Sequence, residues 1–138
     1  MALTRAQMDA KLDEHFGFEA ADDVEGVLAT LAPDVEHDIV GWPPGPAKSH
    51  ADIRHFYETL FADLADGKVR SVRRLHGESF MVDESIWSGT AVGHPFGFEG
   101  RGRPLEFRLL HVLEFAEDGR IAREQVWLDS AAIAQQLA

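Results

Sequence analysis

From Lys68 onward the apolar residues stop recurring at helical spacing and begin to alternate, and this change of period constrains the fold more than anything else in the chain. The alternation predicts four strands. The first runs over 69–80, with a bulge at Gly77. Asp83-Glu84 reads as a turn, and 85–94 as the next strand. A glycine-rich connection, 96–102, leads into a central strand over 105–115. Glu117-Asp118-Gly119 reads as a hairpin turn before a last strand over 120–128, and residues 130–138 as a short terminal helix or tail. The stretch from Ser85 to Asp129 thus reads as three long antiparallel strands. In the central one Phe107, Leu109, His111, Leu113 and Phe115 share one face, because side chains alternate along a strand. Leu110 and Val112 point the other way, so the outer face is expected to be covered as well, by a second copy of the chain. His111 is the one titratable residue on an otherwise apolar face and the first functional clue.

The N-terminal half carries helical signals. Thr4 and Gln7 form a capping box, after which Met8, Leu12, His15 and Phe16 fall on one face and Gly17 can close the helix. Asp22-x-x-Glu25 opens a second helix with Val24, Val27, Leu28 and Leu31 in register, ended by Pro33. A short strand over 35–40 precedes a loop, GWPPGP, whose prolines lack donors. Ser49 caps the strongest helix, where Ile53, Phe56, Tyr57, Leu60, Phe61 and Leu64 follow one stripe up to a C-cap at Gly67. Helices first and strands after predict an α+β domain spanning residues 1–138, with helices packed on one face of a curved antiparallel sheet.

The absence of cysteine removes disulfides, thiolate metal sites and a cysteine nucleophile. The net charge of −11 opposes nucleic acid and anionic membranes. The N-terminus has charges throughout and no apolar core, so no signal peptide is read and a cytoplasmic location is expected. No histidine pair has ligand spacing and no phosphate or dinucleotide fingerprint occurs, so neither metal nor cofactor is expected.

Two stretches carry a family resemblance. DVEHDIVGWPPGPAKSHADIRHFYETLF resembles the ketosteroid isomerase segment in which a strand bearing the catalytic aspartate leads through a Gly/Pro loop into a helix with a tyrosine. WSGTAVGHPFGFEGRGRP, followed by HVLEFAEDGRI, resembles the SnoaL-like glycine pattern at Gly89, Thr90, Gly93, Gly97, Gly102 and Arg103. The resemblance is to the NTF2-like superfamily over nearly the whole chain, and it implies a cone formed by one bent sheet and the helices. Departures are plain. Ala91 stands where SnoaL-like chains carry histidine, His111 where the isomerases carry aspartate, and Thr90 and Val92 where epoxide hydrolases carry Arg-x-Asp.

On this frame His37 and Asp38 compete for the isomerase base position; alternation favours His37 inward. His111 and Tyr57 are expected to stabilise an enolate-like oxygen, with Tyr57 donating to His111 or to a ligand. Glu124 is a candidate partner of His111; an exposed glutamate paired with Arg123 or Arg108 is the alternative. Trp42, Phe96 and Phe98 are placed at the mouth and His94 at the rim, and Trp87 and Trp127 in a subunit interface or core. The function expected is a cofactor-independent acid–base enzyme on a small apolar carbonyl compound, an isomerase, polyketide cyclase or lyase. The alternative is a non-catalytic small-molecule-binding or dimerisation module.

Overall fold

The computed structural model describes residues 2–43 and 45–138. Its elements are α1 (Arg5–Ala20), α2 (Val24–Ala29), β1 (Leu31–Ile39), α3 (His50–Asp63), β2 (Leu64–His76), β3 (Phe80–Ala91), β4 (Arg103–Phe115), β5 (Ile121–Leu128) and α4 (Ser130–Leu137), with one 3-10 turn at Pro95–Gly97. The five strands form one sheet in the order β1-β5-β4-β3-β2. Three of its four neighbour pairs are antiparallel as expected, but β1 lies parallel to β5, so the sheet is mixed. Among the described residues no helix is long and apolar enough to cross a membrane.

Both halves of the Thr4–Gln7 capping box form. Gly17 does not end α1. The helix runs on to Ala20, where Glu19 reaches back one turn to His15 and Phe18 fills the space over Gly26. The N-cap of α2 is Asp23 rather than Asp22, and the helix ends before Pro33. Pro33 lies inside β1, on the edge of the sheet and within a register irregularity between Leu31 and Glu36, where a missing donor is tolerated.

Ser49 caps α3 as expected, but the helix stops at Asp63 and Gly67 is strand. The carbonyl of Asp63 accepts from the amides of Val92 and Gly93, and its carboxylate from that of His94, which turns the chain into the sheet. A side chain at Gly93 would sit 2.3 Å from that carboxylate, so the close approach needs glycine.

The expected turn at Asp83-Glu84 is the largest correction. The β2–β3 hairpin turns at 77–79 instead, and Asp83 lies within β3 between Met81 and Ser85 on the buried face. Gly77 is a turn residue, not a strand bulge. On the central strand, by contrast, every residue expected on the inner face is buried. The loop after β1 returns to it once: His37 and Ala47 exchange both backbone hydrogen bonds, at 2.8 and 2.7 Å.

Candidate active site

The concave face of the sheet and α3 enclose an inner cavity of about 90 Å³. An outer cleft of about 510 Å³ lies between the 42–47 loop, α3 and the 94–97 turn. His37, Ile39, Phe56, Leu60 and Phe96 line both, so they form the throat between them. Aromatic rings dominate the inner wall, where Trp87 stacks on Phe107 at 5.4 Å and Phe96 stands edge-on to Phe107 at 5.8 Å. Glu19, Asp22, His37, Tyr57, His111 and Glu124 bring the polar groups.

His37 projects inward from β1 and is buried. Asp38 follows it on the strand, is half-buried, and lines neither cavity, because alternation sends it to the opposite face. Asp38 therefore loses the base position that the count back from Gly41 would give it. The Nε2 of His37 lies 3.4 Å from the Tyr57 hydroxyl and 4.0 Å from Glu124 Oε1. Tyr57 thus meets His37, not His111. Burial lowers the pKa of His37 below its ordinary value. Glu124 and Glu19 pull the other way, His15 and His111 reinforce the lowering, and the ring is neutral at pH 7. Burial raises the Tyr57 pKa well above the ordinary value, so its hydroxyl keeps its proton.

Glu124 is buried on β5, not exposed beside an arginine, and its partner is neither Arg108 nor His111. Its Oε1 lies 3.3 Å from Nε2 of His15, which comes down from α1 and is itself fully enclosed. Burial would raise the Glu124 pKa, but the charge and hydrogen bonding of His15 above all outweigh it, and the group is held at about 2. His111 does face the inner cavity. Its partner is Asp83, with Oδ1 at 3.6 Å from Nδ1. Asp83 is locked from behind by the Ser71 hydroxyl at 2.6 Å and Arg74 Nε at 2.9 Å.

At the mouth Trp42, 41% exposed, stands edge-on to Phe96 at 5.7 Å, and His94 is exposed at the rim. Phe98 packs into the second core cluster and lines neither cavity, whereas Trp87, expected in core or interface, lines the inner one. His15 and Asp83 escaped the sequence reading. His15 sat on an apolar helical stripe, which was a sign of burial, while Asp83 was masked by its turn-like neighbour Glu84. Among the described residues no group of three or more His, Asp or Glu side chains is placed to hold a metal ion.

The SnoaL-like polyketide cyclase profile matches residues 12–137. The chain belongs to that family. Among solved structures, TsrD from Streptomyces laurentii superposes with a TM-score of 0.84 at 19% identity, covering 99% of this chain and 98% of that one. TerC, co-crystallised with polyporic acid, gives 0.78 at 17% identity over 94% and 97%. An LEH-like epoxide hydrolase from M. tuberculosis gives 0.74 at 14% identity over 96% and 90%. These likenesses establish the NTF2-like fold. A search among curated proteins gives no match. As a SnoaL-like chain this one has a core residue, Ala91, where the family histidine is expected; it is buried and pairs with Leu64 and Arg103.

Proposed function

We propose that this SnoaL-like domain is a cofactor-independent acid–base enzyme acting on a small, largely apolar carbonyl compound by isomerisation, cyclisation or dehydration. The observation that carries the reading is His37: a neutral, buried imidazole at the throat shared by an open cleft and an aromatic chamber. A cleft of about 510 Å³ is the size of a small-molecule site. His37 takes a proton from carbon beside the carbonyl, and the electron pair of the broken C–H bond moves toward the carbonyl oxygen. Tyr57, which retains its proton, donates toward that oxygen, and His111, its Nδ1 turned to the Asp83 carboxylate, donates through Nε2 when doubly protonated. The proton then returns to another carbon in isomerisation, leaves with a hydroxyl as water in dehydration, or, in cyclisation, goes to the alkoxide formed when the enolate carbon bonds a second carbonyl carbon of the substrate. Trp42 and Phe96 close over the apolar body of the substrate, and Glu124 lies beside the base.

The test is proton–deuterium exchange and turnover across a panel of ketones and quinoid compounds. With a responding substrate, His37→Ala is expected to lower the rate by about 10²–10⁴-fold. Unchanged rates in both His37→Ala and His111→Ala would discard the assignment.

A second reading, a non-catalytic binding module, is favoured by the small inner cavity and by Ala91 in the place of the family histidine. Saturable binding without exchange anywhere in the panel would support it. Either reading accommodates a cytoplasmic homodimer. Its interface would be the outer sheet face, where Leu75, Val82 and Val112 align across three strands and Leu110 pairs with the 41% exposed Trp127.

A further inference from the structure

His15 is fully buried, and proton transfer by His37 makes no use of it. Its surroundings nonetheless fix its charge. The Thr30 hydroxyl lies 2.6 Å from the Val27 carbonyl and donates its single hydrogen there. The same oxygen is 2.7 Å from His15 Nδ1 and, with its hydrogen spent, can only accept, so Nδ1 carries a proton. The other nitrogen, Nε2, faces Glu19 Oε1 at 3.2 Å and Glu124 Oε1 at 3.3 Å. A neutral ring protonated at Nδ1 would aim a bare lone pair at two carboxylate oxygens. With Glu124 held ionised, the imidazolium suits both ends.

Glu124 Oε1, the oxygen facing His15, is also 4.0 Å from His37 Nε2. Two histidines therefore face one buried carboxylate. We propose that His15 is a positioning residue for His37: a standing imidazolium on α1 that binds the Glu124 carboxylate and leaves His37 without a counter-ion. The proposal rests on the reading of His37 as the base. Without the charge of His15, the buried carboxylate would have His37 as its nearest cation, and a resting proton on His37 would block it as a base. The groups that bear on His37 are Glu124 from β5, Tyr57 from α3, Glu19 and His15 from α1, and His111 from β4. Burial lowers the His37 pKa, with His15 and His111 adding to it against the pull of Glu124 and Glu19, while at His15 the same two carboxylates outweigh burial and raise the pKa.

Ring-nitrogen NMR of the intact protein tests this without a substrate. His15 is expected to show two protonated nitrogens from about pH 5 to pH 8, where an ordinary histidine titrates. In His15→Gln the titration midpoint of His37 should rise, and in Glu124→Gln it should fall. A disturbance of packing alone would not move the midpoint in opposite directions. A bare nitrogen on His15 at neutral pH, or a His37 midpoint unmoved in His15→Gln, overturns the proposal. If that variant fails to fold, the wild-type spectrum and Glu124→Gln still decide it. Full turnover in His37→Ala would overturn the base assignment alone and leave the charge arrangement standing.

Discussion

Two buried carboxylates serve the concave face, and they are neutralised by different means. Asp83 accepts from Ser71 and Arg74, and Arg74 is tied in turn to Asp9 at 3.3 Å and Asp13 at 2.7 Å on α1. A guanidinium does not titrate in the accessible range, so this arrangement is fixed. The ion-pair partners of Glu124 are imidazoles, His15 and more distantly His37, whose charge depends on where the protons are. Asp83 therefore anchors His111 permanently, while the neutralisation of Glu124 depends on the protons of its imidazole partners. The first arrangement suits a scaffold and the second suits a working group.

The largest expected effect is on the fixed side. Arg74→Met strips Asp83 of its cation while leaving it buried, and should cost about 3–5 kcal/mol in urea unfolding. A loss below about 1 kcal/mol, the range of an exposed ion pair, would erase the distinction between the two carboxylates.

Next comes the pH dependence. His15, raised from 6.5 to about 10, contributes stability that is fully present below pH 6.5 and is lost as pH rises through about 10. Asp83, lowered from 3.8 to about 2, contributes stability present above pH 3.8 and lost as pH falls through about 2. Thermal melts across pH should therefore show an alkaline decline that flattens in His15→Gln. The acid decline should be reduced in Asp83→Asn and remain in His15→Gln. The smallest effect is at the mouth. Trp42→Ala, at an exposed loop residue, should change stability by no more than about 0.5 kcal/mol and show itself in ligand affinity by titration.

Much of this was legible in the chain. The alternation of β4 placed His111 on the inner face, and the Ser49 and Thr4 caps marked their helices, because these signals are local. The partnerships were not legible. Asp83-Glu84 looks like a turn to any local reading, and only the β2–β3 register, which pairs Asp83 with Arg74, reveals a buried salt bridge. His15 and Glu124 come from opposite ends of the chain, and His37 meets Glu124 through β1 lying parallel to β5, a pairing that leaves no periodic trace in either segment. Alternation favours His37 over Asp38 inward, and His37 is the one that lines the cavity.

The lone bridge between His37 and Ala47 has one more consequence. β1 is an outer strand, and an uncovered outer strand offers its amides and carbonyls to any passing chain. Here the rung at His37 is occupied by the molecule's own 41–47 loop, the segment that also walls the entrance. Swinging that loop aside to admit a bulky guest would bare the rung, so the width of the doorway and resistance to fibrous self-association are set by the same few residues.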